Sequence, residues 1–251
     1  MAFSVPAMNE PLGRTSRSDS WWLVPSLMAV AFIAFVIYAA WASFQPVDYA
    51  AWGAYRSPFY SPDMTKYFPG FPWSPALLVV WLPAGFRLTC YYGRKAYFRS
   101  LLLSPPACAV GKGQGSYRGE STLPWILNNI HRYFLYLVLV LVAFHWIHLI
   151  EAFHFPDGFH MGIGTIVVAA DTIFLSLYAL GCHSLRHLVG GNVDCWSCAG
   201  GGKARHSAWK FVTVLNNYHN LFFWCSLFTV GFADLYIRMV AMGHWTDVRI
   251  F

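Results

Sequence analysis

The sequence predicts an all-α integral membrane protein: a five-transmembrane-helix bundle with its N-terminus in the cytoplasm and its C-terminus outside. Three observations predict it. Of the 251 residues, 57% are hydrophobic and only 11% charged, a balance that a water-soluble domain does not carry. Five apolar runs approach or exceed the roughly 20 residues that a bilayer core of about 30 Å requires. The basic residues gather in alternate loops, as the positive-inside rule expects. The net charge of +6 therefore belongs to loops at a membrane face. No basic run interleaved with aromatics on a polar surface is present, so nucleic-acid binding is excluded as the reading of that charge.

Residues 1–20 are polar, with Arg14 and Arg17, and read as a cytoplasmic tail. Residues 21–251 then form one membrane-anchor domain. Its first span runs over about 22–44, too long for a signal-peptide core and flanked by Trp21 and Trp22. Residues 46–72, rich in Pro, Tyr and Phe, form an aromatic cap on the membrane. The second span covers about 73–92, and the loop after it carries Arg94, Lys95, Arg99, Lys112 and Arg118 against Glu120. The third span covers about 126–150 and leads into an acidic turn with Glu151 and Asp157. The fourth covers about 161–188 and is followed by Lys203, Arg205 and Lys210. The fifth covers about 210–240, and a short tail ends at Phe251.

Charges at the bilayer centre cost roughly 2.5–3.5 kcal/mol on insertion scales, so they normally face the bundle interior. Arg87, Asp171, Asp234 and Arg238 fall in or at the ends of spans. Asp171 is nearest a centre and is neutral, paired or part of a proton route. Asp234 and Arg238 are four apart and suited to pair with each other. His145 and His148 lie in the outer half of the third span, where a hydrogen bond suffices to explain a buried imidazole. One pattern recurs: Leu127-Asn-Asn-Ile-His131 opens the third span, and Leu215-Asn-Asn-Tyr-His219 lies in the first third of the fifth, with His219 somewhat deeper. Asparagines start helices well and histidines tolerate interfaces. The same pair of imidazoles also suits a quinone or a haem b.

The stretch Cys182 to Cys198, CHSLRHLVGGNVDCWSC, holds three of the six cysteines and two of the ten histidines. His183 and His187 are four apart and share a helix face. Gly190 and Gly191 stop the helix, and Cys195 and Cys198 form a C-x-x-C. Two imidazoles and two thiolates fit tetrahedral zinc or a Rieske-type [2Fe–2S] cluster with His and Cys ligands. The bland alternative is reduced cysteines filling apolar space beside interfacial histidines. Cys182 or Cys108 could replace one ligand. On the side assigned to the cytoplasm these thiols are expected to stay reduced.

The segments RLTCYYGRKAYFRS (Arg87–Ser100), SPPACAV (Ser104–Val110), LNNIHRYF and CHSLRHLVGGNVDC resemble the cytochrome b-type membrane-anchor subunit of actinobacterial succinate dehydrogenase or fumarate reductase. The resemblance covers most of residues 75–225. It implies a five-helix anchor in the inner (plasma) membrane beneath a flavoprotein subunit and an iron–sulfur subunit, in contact with membrane lipid, passing electrons to menaquinone or ubiquinone. Dihaem anchors of that kind draw axial histidines from their first, second, fourth and fifth helices. Here the first two spans contain no histidine, so that pattern cannot be built. A single haem b between His131 and His219, or the cluster on His183, His187, Cys195 and Cys198, is then the expected carrier. The quinone is expected at the cytoplasmic ends of spans two, three and five, with His131 and His219 as the catalytic proton donors. Tyr91, Tyr92, Trp125, Arg132 and Asn216 would bind its headgroup. Two other readings stand beside this one: a haem-b quinol-oxidising subunit of another respiratory complex, and a non-redox membrane protein stapled by structural zinc.

Overall fold

The computed structural model describes residues 11–112 and 121–251. The first ten residues of the tail, and Arg118 and Glu120 of the loop after the second run, lie outside the described residues. The chain divides into two units. One holds residues up to Ile37 and Arg87–Ile130; the other holds Tyr38–Phe86 and His131–Phe251.

Among the described residues four helices are long and apolar enough to cross a bilayer. Helix α1, Leu23–Phe44, matches the first predicted span. Its Leu27, Val30, Ile33 and Val36 are all exposed, a surface that would cost about 25 cal/mol per Å² in water and costs nothing in lipid. The predicted second span is not one continuous helix. A 3₁₀ turn over Pro75–Leu78 gives way to α2, Trp81–Thr89, and then to α3, Tyr91–Ser100. Pro75 and Pro83 lack amide donors, and Cys90, in extended backbone, separates α2 from α3. Neither helix alone has the length of a crossing.

In the first unit, residues 11–15 pair with the loop after α3. Gly13 N donates to Gly111 O at 3.1 Å and Thr15 Oγ1 to Ala109 O at 2.6 Å. Arg17 Nη1 donates to Cys108 O at 2.8 Å, and Trp125 packs on Phe98 with ring centroids 4.8 Å apart.

The second unit is built on α4 (His131–Glu151), α5 (Ile163–Leu180) and α8 (His219–Ala241). Helix α5 lies between the other two and packs on both. A two-stranded hairpin, β3 (His154–Phe155) with β4 (Gly158–Phe159), joins α4 to α5. At the other end of α5 the chain breaks at Gly181, takes one short helical turn, α6 (His183–Arg186), and then a π turn over His187–Gly191. Helix α7, Gly202–Asn217, leads to α8 through a break at Tyr218. The fourth and fifth predicted runs are thus each interrupted.

At the hairpin end, the segment expected as a cap, residues 46–72, packs on α4 and α8. It contains a small antiparallel pair, β1 (Ala51–Trp52) with β2 (Tyr55–Arg56). Tyr55 seals that end, packing with Leu149, Ala152, Val168 and Ile237. Its ring lies so close to Gly164 that a β-carbon there would overlap it. The tail returns to the same place. Asp247 accepts from Tyr55 Oη at 2.8 Å, Tyr236 Oη at 2.7 Å and the Gly164 amide at 2.8 Å. A carboxylate on the first turn of α5 also meets the positive end of that helix.

Candidate functional site

Both copies of the Leu-Asn-Asn-x-His pattern do the same thing. The first runs as a 3₁₀ stretch, Trp125–Ile130, and His131 is the first residue of α4. The second closes α7, and His219 is the first residue of α8. The expected difference in depth disappears, because the break at Tyr218 makes His219 open a new helix. Helices α4 and α8 both run antiparallel to α5, so the two imidazoles lie at the same end of the bundle.

Between them is a row of rings. Phe86 stacks on His131 with centroids 4.5 Å apart and planes 10° from parallel. Phe86 meets Tyr178 edge-on at 5.3 Å, and Tyr178 stacks on His219 at 4.9 Å. Phe86, Tyr178 and His219 are buried. His131 Nε2 and Cys182 Sγ are 3.2 Å apart, and the same sulfur accepts from the Ser184 amide. Asn216, expected to touch a quinone, donates its side-chain amide to Gly181 O at 2.7 Å and ties the end of α7 to the end of α5. Phe86 and Tyr178 are the neighbours that sequence reading missed, because aromatic residues are too frequent in this chain for any two to stand out; Cys182, weighed there only as a spare metal ligand, meets His131.

Four further residues were expected to contact the quinone. Tyr91 and Tyr92 sit at the start of α3, their rings 5.4 Å apart, and Trp125 lies against Phe98; all three belong to the first unit. Arg132 lines an open cavity of about 420 Å³ with His183, Ser184, His187, Asn192, Leu135, Tyr136 and Leu188.

The metal site expected in the 182–198 stretch is not assembled among the described residues. Cys195 and Cys198 are joined in a disulfide and so are neither reduced nor offered as thiolates. The C-x-x-C loop is held by Trp196, which packs on His206 and Trp209 at 4.9 and 6.1 Å. His183 and His187 face the cavity, and partial burial, then the charge of Arg186, lowers the pKa of His183. No group of three or more His, Cys, Asp or Glu able to hold a metal ion is found among the described residues. A [2Fe–2S] cluster or zinc on His183, His187, Cys195 and Cys198 is therefore not shown. A haem b held between His131 and His219 would have to displace Phe86 and Tyr178.

At the opposite end, His145 Nδ1 is satisfied by Leu141 O at 2.8 Å, and His148 Nδ1 by Ser61 Oγ at 2.7 Å. The expected Asp234–Arg238 pair is present, buried, at 2.8 Å.

The fold extends beyond this chain. It is similar to a chain of the Mycobacterium smegmatis Sdh1 complex in the apo form, with 38% identity over 97% of this chain and 96% of that one and a TM-score of 0.85. No protein of curated function matches. The family profile described as actinobacterial succinate dehydrogenase subunit SdhC matches residues 23–243, and the chain belongs to that family, as a multi-pass inner-membrane anchor subunit of a larger complex.

Proposed function

We propose that this chain seats the flavoprotein and iron–sulfur subunits of a succinate:quinone oxidoreductase on the membrane and delivers their electrons to a quinone at the His131 and His219 end of the bundle. The observation that carries the reading is the mirrored placement of those two histidines, each opening a long helix and each stacked on a buried ring. Quinone reduction takes two electrons and two protons. Succinate oxidation on the partner subunits supplies the electrons, and the imidazoles hold the protons at the quinone oxygens. Histidine suits that task because its unperturbed pKa, near 6.5, lies close to working pH.

The topology belongs to the same proposal. The N-terminus lies in the cytoplasm, the second of five crossings is the broken segment from Pro75 through α3, and the C-terminus lies outside. Arg94, Lys95 and Arg99 on α3 meet acidic surface of the iron–sulfur partner. The distribution of Lys and Arg supports this orientation, and reporter fusions at each loop test it.

The functional test compares His131→Ala and His219→Ala with His145→Ala and His148→Ala in the purified complex. Succinate–quinone reduction is expected to fall at least tenfold in the first pair only. Succinate oxidation by a soluble dye, which needs the flavin alone, should persist in all four. Loss of quinone reduction in the second pair alone would overturn the site.

A further inference from the structure

The geometry points to the cavity beside Arg132 as a binding site for the headgroup of an anionic phospholipid, separate from the row of rings. The cavity holds about 420 Å³ and lies where α4 begins and α5 has just ended, so it sits at a membrane surface. Its polar lining is one permanent cation, Arg132, two imidazoles one helical turn apart, His183 and His187, the Ser184 hydroxyl and Asn192, whose side-chain oxygen accepts from Arg205. No carboxylate lines it among the described residues. Guanidinium, imidazole N–H and hydroxyl groups together match the oxygens of a phosphodiester.

The rest of the lining suits the lipid's chains. Leu135, Leu188 and Tyr136 form the apolar part, and the exposed face of α4 continues from Tyr136 to Val140 and Ile147. Acyl chains hanging from a headgroup at Arg132 would run along that face. The cavity opens sideways, since Arg132, Tyr136, His187 and Leu188 are exposed. A quinone fits less well, because its carbonyls are uncharged and no buried ring stands ready here to stack on it.

The test is native mass spectrometry of the intact, delipidated succinate dehydrogenase complex containing this chain, titrated with dioleoyl-phosphatidylglycerol. One tight adduct per copy is expected that dioleoyl-phosphatidylcholine does not replace. Arg132→Gln, and His183→Gln with His187→Gln, should each weaken that adduct about tenfold or more, while Arg132→Lys retains it. Lys203→Gln, at a cation in the first turn of α7 outside the cavity, should leave it unchanged. Succinate oxidation by a soluble dye monitors assembly in every variant. Equal phosphatidylglycerol binding in wild type and Arg132→Gln overturns the proposal, as does equal binding of phosphatidylcholine. Displacement by glycerol 3-phosphate at matched concentration would make this a soluble-phosphate site, and one-for-one displacement by a short-chain quinone would make it a quinone site; either result refutes the lipid assignment.

Discussion

Arg238 Nε donates to Asp234 Oδ2 at 2.8 Å, with both side chains wholly buried one turn apart on α8. The pair is enclosed by polar partners. Tyr38 Oη donates to Asp234 Oδ2 at 2.6 Å, Ser57 Oγ donates to its other oxygen, and Arg238 Nη2 donates to Ala42 O at 2.9 Å. The guanidinium also faces the rings of Trp41 and Tyr60, each 5.7 Å away. These contacts tie the end of α1 and the cap to α8.

Removing one partner of such a pair leaves a buried charge uncompensated, which typically costs about 3–5 kcal/mol. Asp234→Ala should therefore lower the unfolding midpoint of the purified complex sharply. The double change Asp234→Asn with Arg238→Met should cost less than Asp234→Ala alone, because it removes the charge as well as its partner. Thermal unfolding of the three proteins side by side checks the ordering.

The disulfide yields a chemical prediction. Without reductant, iodoacetamide should label exposed Cys108 but neither Cys195 nor Cys198. After reduction with a phosphine, both should be labelled, as read by peptide mass spectrometry. Cys195 and Cys198 labelling before reduction, together with iron recovered from the pure subunit, would favour the cluster reading.

Much of this was legible in the sequence, for physical reasons that separate the successes from the misses. Leu23–Phe44 and His131–Glu151 were legible because an apolar run of that length has little choice but to form a membrane helix. The Asp234–Arg238 pair was legible because helical spacing alone brings residues four apart together. The breaks were harder. Pro75 and Pro83 are local signals that hydropathy averaging over the second run submerged. The break at Tyr218 has no glycine or proline behind it and coincides with a tertiary bond, Asn216 to Gly181. The C-x-x-C spacing serves a thiolate pair and a disulfide equally, so position alone could not choose. Asp247, which holds three groups from distant segments, left no mark in its local sequence.

The Asp247 clamp makes stability depend on alkaline pH. Burial raises the Tyr55 pKa; its contact with Thr165 works the other way, Asp247 adds to the rise, and the result is a value of about 12. The unfolded value is near 10, so the folded state favours the neutral phenol. The stabilisation is complete below pH 10 and is lost as pH climbs through 10 toward 12. The unfolding midpoint should fall more steeply across that window in wild type than in Tyr55→Phe, which has no proton to lose. Parallel curves for the two proteins would remove Tyr55 from the account.

The last prediction separates contact from positioning at Asn216. On the proposed reading, His219 faces the quinone, and Asn216 acts through it by fixing the junction of α7 and α8 to Gly181. Loss of that buried hydrogen bond in Asn216→Ala leaves the carbonyl unsatisfied and should cost about 1–3 kcal/mol of stability. A residue that touches quinone would, when removed, chiefly raise KM for quinone. A positioning residue should instead lower kcat, with KM nearly unchanged, because the quinone still binds while the proton donor is misplaced. Steady-state succinate–quinone reduction by Asn216→Ala, measured over a range of quinone concentrations, distinguishes the two. The expected outcome is a fall in kcat of about tenfold, with dye-linked succinate oxidation intact. A rise in KM with kcat preserved would return Asn216 to the quinone's own contacts.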